Sequence, residues 1–580
     1  MNKKFVSIVL SLCMVLSCIA LGGFSSLAAG TDPQDDIQGS SVLHCFNWSY
    51  NAIKANLQEI KNAGYTAVQT SPVQPPKDYN ASWTDQSGQW WKLYQPIDIC
   101  IADGKTWLGT KAELKSLCDA AENMGIKVIV DIVANHMANV NDSYGNQMNN
   151  ISSQVNSYWR NNSDFWHINW DWANDDNNRY TMTMGSIGEP DLNTGNSEVQ
   201  NAFKNLLIDC INQGVDGFRF DAAKHIELPT DSGYGSQFWP TVINGSQSST
   251  SNNIYYYGEI LNGCGTSISN YTKYMSVTDT YSSDSILVAA NNGNASGMAN
   301  SSYSTGAAPN KAVLWVESHD TYMGNTGSAG IKNTSSISDS TIVKAWAMVG
   351  SRANSTSLFF ARPNSKMGYA SSNTTWKSTA VAEVNKFKNY FEGTSEYLAS
   401  YNNIAYNERG TTGVVLVNAT GTTASVSVPA HKMQSGTYKD AITGNTFKVS
   451  NGTISGNIGS TGVAVVYNTG SEPVTDPTTT TPSGDTVKFT DNQNWGTVYA
   501  YFWSDSQTNM AGAWPGTKMT SLGTNSYGES IYSVNIPTGA SYVVFSNGGS
   551  DQTVDITLTG AEGYYTTGSR TNGKLNAYTW

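Results

Sequence analysis

The stretch Val215-Asp216-Gly217-Phe218-Arg219-Phe220-Asp221-Ala222-Ala223-Lys224-His225 begins as an apolar strand and ends with an arginine and an aspartate two residues apart. In a strand, residues i and i+2 face the same way. Arg219 and Asp221 therefore share one face, and Phe218 and Phe220 the other. A buried carboxylate is costly unless paired, and an adjacent guanidinium favours its ionised form. An ionised, positioned, desolvated carboxylate is what covalent glycoside chemistry needs. A structural salt bridge at a strand end would show the same pattern, so the neighbours must decide.

Working outward, short apolar runs alternate with helical patterns. Candidate strands are Ser41–Trp48, Tyr65–Thr70, Lys127–Ile132, Val215–Phe220, Ile254–Gly258, Lys273–Thr278, Ala312–Val316 and Ser357–Ala361. Amphipathic segments lie between them, at Ala52–Ala63, Lys111–Met124, Glu198–Gln213 and Ser338–Ser351. Alternation of this kind indicates a parallel sheet. Eight such strands predict an α/β fold, a (β/α)8 barrel over residues 31–392, with its chemistry at the strands' C-terminal ends. His136, Asp221, Glu259, His319 and Asp320 fall at those ends. Residues 137–190 break the rhythm, being rich in Asn, Asp, Ser and Trp, and are expected to form an inserted subdomain after strand 3.

The pattern then becomes purely β. Gly413–Val417, Ala424–Val428, Gly436–Lys439, Thr446–Val449 and Val463–Tyr467 predict an antiparallel β-sandwich over residues 393–468. Residues 469–484, rich in Pro and Thr, read as a linker. Residues 485–580 read as a second all-β module.

A chain of 580 residues is too long for one core. Charged residues make up 13%, about half the usual share. The net charge of −12, with no Lys/Arg run, argues against nucleic acid or anionic membrane as a partner. Lys3 and Lys4, an apolar run from Phe5 to Leu21 and the small residues around Ala28 and Ala29 predict a secretory signal over residues 1–30. No later segment has the roughly 20 apolar residues of a membrane span. The mature chain is expected to be extracellular, soluble and monomeric. Beyond the signal, Cys45, Cys100, Cys118, Cys210 and Cys264 are odd in number and scattered, which is neither a disulfide framework nor a zinc pattern.

Three carboxylates converge if the barrel is right: Asp221, Glu259 after Tyr256-Tyr257-Gly258, and Asp320 in Val316-Glu317-Ser318-His319-Asp320. A retaining glycosidase needs a nucleophile and an acid/base. An apolar, carboxylate-rich setting keeps the acid proton-loaded by raising its pKa.

Ile132-Val133-Ala134-Asn135-His136, Gly217–His225, Gly258-Glu259-Ile260-Leu261 and Val316–Asp320 together resemble the four ordered motifs of the α-amylase family of glycoside hydrolases. The similarity runs over about residues 41–468. It looks nearest to secreted bacilli-type members, through His44–Ser49, Gln69–Pro72, Leu93–Pro96 and Ala222–Pro229. The resemblance implies Asp221 as nucleophile, Glu259 as acid/base and Asp320 as transition-state stabiliser. It implies that Arg219 holds Asp221, that His136 and His319 bond the sugar, that Tyr94 stacks beneath it with Gln95 nearby, and that Lys224 lines the leaving-group side. It also implies a structural Ca2+ between barrel and insertion, held by Asn135, Asp191 and the carbonyls of Thr181 and His225. Hard oxygen ligands suit that ion.

In the terminal module, Thr497–Trp503 and Ala513-Trp514-Pro515-Gly516 resemble a family of starch-binding modules. Tyr499 and Tyr501 lie on one strand face, opposite Val498, Ala500 and Phe502. With the aliphatic face in the core, the tyrosines point outward as a binding surface that includes Trp514. The expected function is endohydrolysis of α-1,4-glucans such as starch. The alternatives are a glucan transferase of the same family and a non-catalytic glucan-binding protein, which the intact Asp221, Glu259 and Asp320 disfavour.

Overall fold

The computed structural model describes residues 37–79, 87–140, 147–168, 177–261, 264–324, 333–468, 486–525, 529–537, 539–558 and 563–579. The expected signal segment and the Pro/Thr linker lie outside the described residues. The chain divides into two compact units, residues 1–472 and 473–580.

In the first unit, β1 (Ser41–His44), β2 (Ala67–Pro72), β3 (Lys127–Val133), β4 (Gly217–Asp221), β5 (Tyr255–Gly258), β6 (Ser276–Thr278), β7 (Ala312–Trp315) and β8 (Thr356–Phe360) close into a parallel barrel. All eight expected strands are present. The first is shorter than expected because the chain turns at Asn47, whose φ is 66°. Strand alternation sorts the side chains. Val42, Ala67, Ile129, Tyr255, Tyr257, Val313, Trp315 and Leu358 form one apolar cluster. Phe218 and Phe220 point the other way, into the large core that includes Leu57, Leu114, Phe203 and Trp346 from the surrounding helices.

Those helices start where capping chemistry allows. The helix Lys111–Glu122 opens with a reciprocal box, in which the Thr110 hydroxyl accepts from Glu113 N at 3.1 Å and Glu113 Oε2 accepts from Thr110 N at 2.7 Å. Ser49 caps the helix Tyr50–Asn62 in a similar way, accepting from Ala52 N. The insertion after β3 is not wholly irregular: among its described residues short helical turns occur at Gln147–Asn150, Ser157–Arg160, Ser163–Phe165 and Arg179–Met184.

Eight strands follow: β9 (Glu396–Tyr401), β10 (Ile404–Arg409), β11 (Gly413–Asn418), β12 (Ala424–Pro429), β13 (Gly436–Asp440), β14 (Thr446–Ser450), β15 (Thr453–Ile458) and β16 (Val463–Tyr467). They form one continuous antiparallel sheet around a core that includes Tyr406, Leu416, Tyr438 and Phe447. The second unit pairs a five-stranded and a four-stranded sheet over Val487, Phe489, Ala500, Phe502 and Phe545. Of the five described cysteines, Cys45, Cys118, Cys210 and Cys264 are buried and Cys100 is exposed.

Candidate active site

Strand register builds the centre of the site. Asp131 on β3, Arg219 on β4 and Tyr257 on β5 are lateral neighbours in the barrel. The Arg219 guanidinium meets three carboxylates. Its Nη1 lies 2.9 and 2.8 Å from the two oxygens of Asp131 and 2.7 Å from Oδ1 of Asp221. Its Nη2 lies 3.0 Å from Oε1 of Glu259. The other Glu259 oxygen accepts from the backbone N–H of Ala222 at 3.0 Å.

The backbone is adapted to this closeness. Ala222 sits in the left-handed region, with φ 47°, so the chain turns sharply just after Asp221. Gly258 has no room for a side chain. A Cβ there would come within 2.8 Å of Met275 Sδ and 2.9 Å of Ala223 Cβ, so Glu259 is presented from a backbone pressed onto its neighbours.

Electrostatics follow from the count of charges, three carboxylates around one guanidinium. Burial pushes the Glu259 carboxyl above its ordinary value; Arg219 opposes this, while Asp221 and Asp320 reinforce it. Burial pushes Asp131 up to about 7 against the pull of Arg219, with Asp221 adding to the rise. Asp131 and Glu259 thus both hold a proton more tightly than an exposed carboxyl does. His319 is pushed down to about 4, by burial first and then by Arg219, so it is a neutral imidazole at neutral pH.

These groups open onto a cleft of about 360 Å³ lined by, among others, Asp221, Glu259, Asp320, His136, His319, Tyr94 and Lys224. Tyr94 is stacked on His319, with centroids 5.0 Å apart and planes at 6°, and its hydroxyl donates to Asp131 at 3.0 Å. His136 Nε2 is 2.9 Å from the Tyr94 carbonyl, which assigns the proton to Nε2. Nδ1 of the same ring is buried without a protein partner. His319 Nε2 is 3.7 Å from Asp320 Oδ2.

Gln95 is brought less close. It is absent from the cleft lining, and its amide donates to Glu189 Oε1 at 3.0 Å and accepts from Lys77 at 3.1 Å. Glu189, Trp90 and Trp91 line the cleft instead, the last 40% exposed. Asp131 also escaped the sequence reading.

The expected cation ligands are partly assembled. Leu192 N donates to the Asn135 carbonyl at 2.8 Å, which seats Asp191 beside the end of β3. Asp191 and Asn135 are buried, and Asp191 Oδ1 and Asn135 Nδ2 have no hydrogen-bond partner. Asp191 Oδ2 is held by His167 Nδ1 at 2.7 Å, and the other nitrogen of that ring is 3.2 Å from Glu227. An orphaned carboxylate oxygen at this spot fits a hard cation. The Thr181 carbonyl accepts from Gly185 N at the end of a helical turn, and the neighbouring Met182 carbonyl meets His225, accepting from Nδ1 at 2.8 Å.

In the terminal module, Tyr499 and Tyr501 are half-buried on one strand face and Trp514 is 45% exposed, whereas Val498, Ala500 and Phe502 on the other face are fully buried. Tyr501 and Trp514 meet edge to face at 5.7 Å.

Residues 49–303 match the α-amylase catalytic domain, and residues 487–558 match starch-binding module 26. A curated α-amylase of Clostridium acetobutylicum is 35% identical over 84% of this chain and 63% of its own length. One of Butyrivibrio fibrisolvens is 28% identical over 90% of the chain and 65% of its length. The chain thus spans a little under two thirds of those relatives. Among solved structures, α-amylase I of Eisenia fetida superposes with TM-score 0.58 at 16% identity, covering 74% of this chain and 98% of that one. The γ-CGTase of alkalophilic Bacillus clarkii superposes with TM-score 0.55 at 16% identity, covering 92% and 86%; at these identities the likeness is one of fold. The barrel is thus similar to α-amylase catalytic domains, and the second unit to starch-binding module 26.

Proposed function

We propose that the protein is a secreted α-amylase that cleaves internal α-1,4-glucosidic bonds of starch by a retaining double displacement. The observation that carries this reading is the single guanidinium of Arg219 shared by Asp221 and Glu259, which sets the two carboxyl groups side by side at one cleft. Close carboxyl groups suit retention; inversion needs room for a water between them.

In this reading Asp221 attacks the anomeric carbon, and Glu259 gives its proton to the departing oxygen. Glu259 then takes a proton from the water that releases the glycosyl group. Asp320 faces the developing positive charge across the cleft. His136 offers Nδ1 as an acceptor to a sugar hydroxyl, neutral His319 adds a second bond, and the Tyr94 ring supports the apolar sugar face. Lys224 lies on the leaving-group side.

Asn135, Asp191 and the His225 carbonyl would hold a structural Ca2+, which when bound would tie insertion to barrel. Tyr499, Tyr501 and Trp514 would hold starch, and residues 1–30 would direct secretion. Incubation with soluble starch, with products resolved by size, tests the reading. Linear oligosaccharides support it, rings point to a transferase, and an unchanged polymer refutes catalysis.

A further inference from the structure

The aromatic surface of the terminal module does not stop at Tyr499, Tyr501 and Trp514. Trp503 follows Tyr501 on the same face of the strand Tyr499–Trp503, and the strand Tyr542–Ser546 places Tyr542 opposite it in register. Tyr501 and Trp503 have centroids 5.7 Å apart, with planes tilted by 33°. Trp503 and Tyr542 are stacked at 5.5 Å and 23°. With Trp514 edge-on to Tyr501, four rings run in unbroken contact: Trp514, Tyr501, Trp503, Tyr542.

Both Trp503 and Tyr542 are half-exposed, on the face away from the fully buried Ala500 and Phe502. Polar atoms border the strip, where Tyr501 OH meets Asn509 Oδ1 at 2.8 Å and Tyr542 OH meets Asp505 Oδ1 at 3.1 Å. An aromatic strip edged by carbonyl and carboxylate acceptors matches the chemistry of a sugar chain, with its apolar ring faces and hydroxyl rims.

We propose that Trp503 and Tyr542, with Asp505 at the rim, form a second glucan-binding pad continuous with Tyr499, Tyr501 and Trp514, so that the module grips a longer run of α-glucan than those three residues span. Successive outward residues of a strand are about 6.6 Å apart, so reaching from Tyr499 to Trp503 doubles the length served by the two tyrosines. The inference rests on the starch-binding reading of the module.

The test uses the full chain with Glu259→Gln, so that the granule survives the assay. Adsorption isotherms on granular starch are compared for this parent, for added Trp503→Ala, Trp503→Phe or Tyr542→Ala, and for the Tyr499, Tyr501 and Trp514 triple alanine. Bound protein is then displaced with maltotriose or with maltoheptaose. Loss of one stacking pad should weaken adsorption about threefold to tenfold for Trp503→Ala and for Tyr542→Ala. Trp503→Phe should keep most of the affinity. The advantage of maltoheptaose over maltotriose as a displacer should shrink in both alanine variants.

If Trp503→Ala and Tyr542→Ala adsorb like the parent while the triple variant is lost, the second pad is refuted and the starch-binding reading stands. If the triple variant also adsorbs fully, that reading fails and the inference falls with it. Should the Trp503→Ala module melt early, Tyr542→Ala alone decides between the same outcomes.

Discussion

Nη2 of Arg219 lies 3.0 Å from Oε1 of Glu259, while Nη1 of the same side chain holds Asp221 at 2.7 Å. The arginine that holds the proposed nucleophile thus also holds the proposed acid/base. A planar fork can serve both carboxylates and Asp131 at once, and a lysine ammonium cannot. Arg219→Lys should lower kcat about 100- to 1,000-fold, the usual scale for losing a preorganised charge. Near-normal kcat in a folded Arg219→Lys protein would refute the shared role.

Glu259→Gln keeps the shape of the side chain and removes its proton. Positioned proton transfer contributes about 100- to 10,000-fold. The variant should bind maltoheptaose with near-parental affinity by calorimetry while kcat falls by at least the lower figure. A loss confined to KM would contradict the assignment.

Asp320 raises the affinity of Glu259 for its proton. Asp320→Asn removes that negative charge, so Glu259 loses its proton at lower pH. The alkaline limb of the residual activity should therefore move toward acid, alongside a kcat drop of about 100-fold or more. A limb that stays in place, or moves toward alkali, would show that Asp320 does not act on the proton of Glu259.

Chelation should lower the melting temperature, because an ion bound only by the native state stabilises it by mass action. Asp191→Asn should melt lower than the parent and should lose most of its response to chelator. Identical parental melting curves with and without chelator would rule out a stabilising Ca2+.

The barrel was legible in the sequence because its strands are short apolar runs separated by periodic helices. The Arg219–Asp221 pair was legible because period-2 geometry is local. Asp131 could have been found, being the one acid inside the apolar run Lys127–Val133, but only the fold shows that Arg219 lies beside it. β9 and β10 were missed because they carry charge. Glu408 and Arg409 are fully buried, Glu408 accepting from the backbone of His431, Lys432 and Met433. The contact of Met182 with His225 was missed for a different reason: the insertion has no hydrophobic period to fix its register. Gln95 sits next to Tyr94 in sequence, yet its amide is committed to Glu189 and Lys77.

In the proposed reading, two close carboxyl groups sharing one guanidinium favour retention, with Asp221 as nucleophile. The most direct test is the anomeric configuration of the sugar released in the first turnovers, read by proton NMR on maltoheptaose before mutarotation blurs it. The new reducing ends should appear first as the α-anomer and only later equilibrate with β. Initial release of the β-anomer would mean inversion and would contradict the shared-guanidinium mechanism.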